Sequence, residues 1–236
     1  MPESNAASAG SQTLSRGIRV LEVLASSERN LSIDELAAAL GVHRSIAYRL
    51  LRTLEHHALV ARDSAGRVGL GSGLAALASG IARDLQTAAL PHLDAVANEL
   101  GMTCLLAVLL DRDEAVTLVS AAPRGNLAVV SYRPGHRHPI TRGAPGKAIL
   151  LQLPAGAWPD VSPELGAELE KARTRGYTTS HDEVVPSLRA VAVPLSLPGQ
   201  PPAAIAVIHV SLPQAEEQIA ARLQSAAAAL TAAFGA

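Results

Sequence analysis

Arg44, Arg49 and Arg52, with His43, Ser45 and Tyr48 among them, lie in one ten-residue stretch. These are side chains that hold nucleic acid. An arginine fork fits the edge of guanine or a phosphate, and serine and tyrosine hydroxyls donate to phosphate oxygens. The chemistry requires that the six share a surface. Ile46, Leu50, Leu51 and Leu54 recur at spacings of three and four, so a helix buries them on one side and turns the polar six outward. Taken alone, the same pattern fits a solvated basic helix on any globular domain, because charged outer faces are the rule.

The flanking residues decide between these readings. Ser32 and Glu35 have the spacing of a capping box, which starts a helix; Leu36, Ala37 and Leu40 form its apolar face and Gly41 suits its left-handed end. Helix, tight turn and a second helix with a polar front make a helix-turn-helix. Residues 59–62 and 67–70 are short strand-like runs around Asp63-Ser64-Ala65-Gly66, a hairpin that reads as a wing with Arg62 and Arg67 at its base. Ile18, Leu21, Val23 and Leu24 mark a preceding helix capped by Ser15, with Arg16 and Arg19 outward. Residues 13–71 thus predict a winged helix-turn-helix that binds double-stranded DNA. Residues 1–12, rich in Ser, Ala, Asn and Gly, predict a disordered tail.

The chain of 236 residues suits two small domains, and 48% hydrophobic with 17% charged residues provides ample core. Aromatics at 2% leave that core to Ala, Val, Leu and Ile. The single cysteine, Cys104, excludes an intrachain disulfide and fits a reducing cytoplasm. No leader pattern and no apolar run approaching membrane-spanning length is present, so a cytoplasmic protein without a membrane partner is expected. The net charge is −1, but it is divided unevenly. Between residues 11 and 83, nine arginines and six acids leave +3; from 84 onward, eleven basic and fourteen acidic residues leave −3. A basic first third on an acidic remainder suits a DNA reader joined to a sensor.

Gly71-Ser72-Gly73 reads as a flexible joint. Over residues 72–84, Leu74, Leu77, Ala78, Ile81 and Leu85 form an apolar stripe, read as a linker helix pairing with its twin across a dimer. The sequence then predicts a helix over 85–100 kinked or broken at Pro91, strands over 103–110 and 115–121 around a turn, and a strand over 127–132. Helices follow over 146–153 and 163–175, then strands over 190–197 and 203–210 and a helix over 214–234. This order describes an α+β domain with an antiparallel sheet over residues 85–236.

Catalytic and metal chemistries find little support. His136, His138, Cys104, His181 and His209 are zinc-type ligands without Cys-x-x-Cys or His-x-x-x-His spacing. Asp182 and Glu183 are adjacent and diverge on any regular element. No nucleophile-elbow motif is present, and residues 143–148 lack the glycine spacing and the hydroxyl residue of a phosphate loop. No enzyme, metal or cofactor is predicted.

Nearly the whole chain resembles the IclR family of bacterial transcriptional regulators. The first domain matches through Arg52-Thr53-Leu54-Glu55 to Gly69-Leu70-Gly71. The second resembles the family's GAF-like effector-binding domain through Pro91-His92-Leu93, Gly135 to Pro139, Gly146-Lys147-Ala148, Arg175-Gly176-Tyr177 and Asp182 to Pro186. The resemblance implies a homodimer or dimer of dimers on a partly palindromic operator, as repressor or activator, controlled by a small organic effector. It places DNA contacts on Ser32, Arg44, Ser45, Tyr48, Arg49, Arg52, Arg62 and Arg67, with His43 on the same face. It places effector contacts on Met102, Cys104, Leu106, Thr141, Arg142, Gly143, Ala190, Ala206 and Ile208, with Ser180 or Asp182 at the rim. Where the family commonly runs Leu-His-Ala-Thr-Ala-Leu before Gly-Lys, this chain has Ile140-Thr141-Arg142-Gly143-Ala144-Pro145. That departure suggests an effector with an apolar body and an anionic end paired with Arg142. A second reading has the winged helix contact protein instead of DNA.

Overall fold

Gly41, left-handed at φ 62°, turns the chain between α2 (Ile33–Leu40) and α3 (Arg44–His56) in the computed structural model, which describes residues 10–78, 83–125, 132 and 134–234. The capping box forms as expected. Ser32 Oγ accepts from Glu35 N at 3.2 Å, and Glu35 Oε2 accepts from Ser32 N at 2.7 Å. Helix α1 spans Gln12–Ala25 and is capped by Ser11, whose Oγ accepts from Leu14 N at 3.3 Å, so it begins one turn before the expected Ser15 cap. The tail expected over residues 1–12 lies outside the described residues up to residue 9.

Val20, Leu24, Leu36, Leu50, Leu51, Leu54, Val60 and Val68 form the core of this three-helix unit. Its wing pairs β1 (Val60–Arg62) with β2 (Val68–Leu70), antiparallel. Asp63 Oδ1 closes the turn by accepting from the backbone N–H of Ala65 and Arg67, and Leu31 adds an isolated bridge to Val68.

The residues after the wing correct the expectation of a flexible joint. Gly71 N donates to Leu59 O and Gly73 N donates to Ala58 O, both at 2.9 Å. A Cβ on Gly71 would lie 2.2 Å from Ala58 O, and one on Gly73 would lie 2.7 Å from it. The glycines are there for close backbone approach, and they clamp the exit of the wing onto the end of α3. Helix α4 (Gly73–Ala78) follows with no buried residue, and Leu77 is 67% exposed. Ile81 lies outside the described residues. Leu85 does not belong to an exposed stripe: it is 1% exposed within the core of the next unit. The chain divides into two units, residues 1–81 and 82–236.

Among the described residues, the second unit forms a six-stranded antiparallel sheet in the order β5-β4-β3-β8-β7-β6. It consists of β3 (Thr103–Leu109), β4 (Glu114–Ala121), β5 (Arg137–Pro139), β6 (Thr178–His181), β7 (Arg189–Leu195) and β8 (Ala203–His209). The expected α+β class and antiparallel sheet are therefore found. Strands β5 and β6 were not foreseen; each is a short edge strand. The strand expected over 127–132 falls outside the described residues except Tyr132.

One sheet face carries Cys104, Leu106, Val191, Val193, Ile205 and Val207 beneath α5 (Arg83–Leu100) and α8 (Glu216–Phe234). The other carries Leu105, Ala107, Ala190, Ala192, Ala204, Ala206 and Ile208 beneath α6 (Ala144–Leu150) and α7 (Pro163–Arg175). The alanines keep that face shallow, so α6 sits close to the backbone. Gly146 extends this: its Cβ would lie 2.8 Å from both Cα and O of Ile140. Of the kink or break expected at Pro91, the break does not occur: helix α5 continues through it. Pro91 and Thr87, whose carbonyl loses its helical donor, both lie on the exposed side, where water replaces the missing bond.

Substituting Gly71→Ala is expected to destabilise the first unit by roughly 1–3 kcal/mol, because the added methyl strikes a backbone oxygen that cannot swing away. Urea denaturation followed by helical circular dichroism checks this, with Gly10→Ala, which meets nothing within 4 Å, as the control.

Candidate functional site

On α3, Ala47, Leu50, Leu51 and Leu54 are buried, while Arg44, Ser45, Tyr48, Arg49 and Arg52 face outward and Tyr48 is 48% exposed. His43 is the N-cap, with Nδ1 accepting from Ser45 N at 3.3 Å. The expected polar set is thus on one surface, but its arginines are differently occupied. Arg44 reaches back to Asp34 on α2 at 2.8 Å, Arg62 pairs with Glu55 at 2.5 Å, and Arg67 approaches Glu35 at 3.3 Å. Glu35 also pairs with Arg29 at 2.6 Å, and its carboxyl is held down to about 2 by that arginine and by the Ser32 N–H. Among the described residues, no partner is found for Arg49 or Arg52. Exposed pairs of the kind formed by Arg44 and Asp34 contribute little, so a phosphate can displace the carboxylate at small cost. Arg16, read in sequence only as an outward arginine of the first helix, joins Thr13, Ile46, Arg49 and Thr53 around a groove. Ser32 is committed to capping α2, although its hydroxyl proton is left free to donate.

In the second unit, a cavity is lined by Tyr132, His138, Gly143, Pro145, Ser180 and Glu183, with Val184, Val185, Leu188, Ala190 and Ile208 completing its wall. Its clear centre of about 30 Å³ has room for one or two waters, and with the open mouth the space is about 350 Å³.

Beside it stands a charge network the sequence did not reveal. Lys147, 1% exposed, donates from Nζ to Glu168 Oε1 and Glu183 Oε1, both at 2.7 Å. The other oxygen of Glu183 accepts from Gly143 N at 2.8 Å. Thr178 Oγ1 ties β6 to α6 by donating to Ala144 O at 2.7 Å. Asp182 and Ser187, both at positive φ, bracket the segment that carries Val184 and Val185. Only Glu183 within the Asp182-Glu183 pair hinted at this network, and nothing in sequence placed it opposite Lys147.

Several expected effector positions lie elsewhere. Met102, Cys104 and Leu106 belong to the core beneath α5 and α8, on the opposite side of the sheet from the cavity. The difference is one of parity: neighbouring side chains on β3 alternate, so the cavity side holds Leu105 and Ala107. Burial accordingly raises the Cys104 thiol's pKa. Arg142 donates to the backbone carbonyl of Glu183 and does not line the cavity. Asp182 is spent on its own turn, accepting from Ser187 N, and Thr141 is likewise absent from the lining. Ala206 shares the cavity-side face of the sheet without reaching the lining, while Gly143, Ser180, Ala190 and Ile208 line it.

His138 was read only as a weak zinc ligand. It is 2% exposed, and among the described residues neither ring nitrogen has a hydrogen-bond partner. Burial, then the neighbouring His136, pushes its pKa down to about 4; the Ala115 backbone opposes this slightly without reaching hydrogen-bond geometry. The ring is therefore neutral at pH 7. Among the described residues no group of three metal-ligating side chains forms, and no helix is long and apolar enough to cross a membrane.

A basic helix presented by a winged helix-turn-helix, in a chain that also carries a sheet domain with a small cavity, is an arrangement suited to a DNA-binding regulator. The IclR helix-turn-helix domain matches residues 13–64. An HTH-type transcriptional regulator of Mycobacterium tuberculosis is 33% identical over 153 residues, covering 64% of this chain and 58%, under two thirds, of that protein. The transcriptional repressor IclR of Escherichia coli is 28% identical, with 77% of this chain and 73% of that protein covered. An IclR regulator structure from Alicyclobacillus acidocaldarius superposes with a TM-score of 0.82 at 26% identity, covering 94% of this chain and 98% of that one. A Microbacterium hydrocarbonoxydans homologue, in complex with 4-hydroxybenzoate, has the same fold at a TM-score of 0.79 and 23% identity, with 94% and 99% covered. The chain thus carries an IclR-type helix-turn-helix over residues 13–64 and is similar along most of its length to IclR transcriptional regulators. The Mycobacterium, Escherichia and Alicyclobacillus relatives are transcriptional regulators.

The depressed His138 pKa has a consequence for stability. Between pH 6.5 and about 4 the unfolded chain binds a proton on this imidazole that the folded chain does not. Stability is therefore lost as pH falls through that window, by about 3 kcal/mol once below it. Denaturation of wild type and His138→Leu at pH 7 and pH 4 checks this: the variant should lack that share of the acid destabilisation.

Proposed function

We propose that the chain acts as a homo-oligomer on a partly palindromic operator and that a small organic effector, bound in the second unit, changes its DNA affinity. Residues 13–71 read DNA, residues 72–84 link, and residues 85–236 bind the effector. A cytoplasmic location follows from a DNA partner. Repression or activation depends on where the operator lies relative to the promoter.

The observation that carries this reading is the outer face of α3. Arg49 and Arg52 stand exposed with no partner among the described residues, beside Tyr48 and Ser45, and the wing holds Arg62 and Arg67 in exposed pairs. Arginines of this kind supply phosphate contacts and base readout, and two copies are needed because one winged helix meets few phosphates. The exposed Leu77 and half-buried Leu74 on α4 supply apolar surface for self-association. For the effector, the cavity and its orphaned imidazole are the support, and the aromatic ligand held by the Microbacterium homologue makes a small organic molecule the natural candidate. The anionic end expected from Arg142 is not retained, since that guanidinium is turned to the Glu183 carbonyl.

Fluorescence anisotropy with the DNA upstream of the protein's own gene, titrated over salt, tests the reading. Selective binding is expected, with Arg49→Ala losing roughly 1–3 kcal/mol and about one unit of the log–log salt slope. Binding that is indifferent to sequence and unchanged in Arg49→Ala contradicts it.

A further inference from the structure

Resting on the reading of the cavity as an effector site, we propose that it selects an uncharged ligand with a ring-sized apolar body and one hydroxyl, bonded to the His138 imidazole, and that it discriminates against carboxylates. A neutral imidazole has one N–H donor and one bare acceptor. His138 lines the cavity, and among the described residues neither of its buried ring nitrogens has a partner. Buried polar groups are nearly always hydrogen-bonded, so an orphaned pair of this kind marks the place where a bound molecule supplies the missing bond. A hydroxyl can serve either nitrogen, since it both donates and accepts.

The surroundings give the rest of the ligand. Val184, Val185, Leu188, Ala190 and Ile208 present hydrocarbon, and Tyr132 adds an aromatic wall, its ring 4.5 Å from that of His136. Gly143 keeps the space beside the imidazole open: its absent Cβ would lie 3.7 Å from His138 Cδ2 and 2.8 Å from Val184 Cγ2. The enclosed space is only about 30 Å³, well below that of ordinary ligand sites, so the ring can carry no more than one small substituent and must make its own room on entering. Because its clear centre is so small, the ligand must displace the Val184–Val185 wall to enter.

The charges exclude an acid. The buried Lys147 ammonium is already occupied by Glu168 and by Glu183 of the cavity lining, so that group carries two carboxylates for one ammonium. Glu183 itself lines the cavity, and a ligand carboxylate would meet its like charge there. Arg142 is engaged with the Glu183 carbonyl. The remaining route, protonating His138 to meet an anion, loses about a thousandfold in affinity at pH 7, given a pKa of about 4.

Isothermal titration calorimetry of the full chain at pH 7 with p-cresol, 4-methylbenzoate and toluene separates the terms, because the three share one apolar body. The expected order has p-cresol binding at least tenfold tighter than either of the others. His138→Leu should bring p-cresol down to the affinity of toluene, and His138→Gln, which keeps a donor and an acceptor, should recover part of the difference. Should His138→Leu fail to fold, the wild-type ranking still decides. No p-cresol binding, tighter binding of 4-methylbenzoate, or p-cresol affinity unmoved in a folded His138→Leu overturns the proposal. Anisotropy on the same preparation separates the two claims: selective DNA binding with a failed ligand ranking sinks this inference alone, whereas loss of selective DNA binding sinks the regulator reading beneath it.

Discussion

The Lys147 ammonium, buried with 1% exposure, needs both Glu168 and Glu183, and the cavity side of the sheet domain is arranged around that need. Glu168 comes from α7 and Glu183 from the segment between β6 and β7, so one cation joins three parts of the chain that are distant in sequence. A buried charge left alone costs several kcal/mol, and that penalty is what holds the three together. Glu183 then passes the constraint on, since its second oxygen accepts the Gly143 N–H at the start of α6. Gly146 allows the close seat of α6 over Ile140 that keeps Lys147 buried. The cavity wall at Val184 and Val185 is a consequence, because these residues follow Glu183 directly.

The first unit uses charge in the opposite manner. Arg44, Arg62 and Arg67 pair with carboxylates at the surface, where solvent and salt weaken each bond. Such pairs orient arginines without committing them. They suit a face that must exchange one anion for another, whereas the Lys147 network suits a wall that must stay closed until something fills it.

The helix-turn-helix was legible because its signals are local. The capping box, Gly41 and the spacing of Leu50, Leu51 and Leu54 lie within a few residues of one another and depend on backbone geometry alone. The same holds for the wing, where Asp63 and Gly66 form the turn their types predict. The cavity was legible only in part. Of the positions the resemblance implies, Gly143, Ser180, Ala190 and Ile208 line the cavity, whereas Met102, Cys104 and Leu106 lie on the other face of the sheet. Continuous apolar strands buried on both faces carry no alternation to fix which residue faces which way. Gly71 and Gly73 misled for another reason: glycine demanded by close approach looks in sequence like glycine chosen for freedom. His138 and Lys147 were missed as a site because their significance lies in what does and does not surround them, which only tertiary packing decides.

A double-mutant cycle on Lys147 and Glu183 tests the central constraint most directly. Wild type, Lys147→Met, Glu183→Gln and the double variant would be compared by chemical denaturation at pH 7. If the ammonium holds the wall through Glu183, the two substitutions couple by about 1–3 kcal/mol, and the double variant is less destabilised than the sum of the single ones. Effects that add to within about 0.5 kcal/mol would show that Lys147 and Glu183 act independently, and the cavity wall would then need another origin.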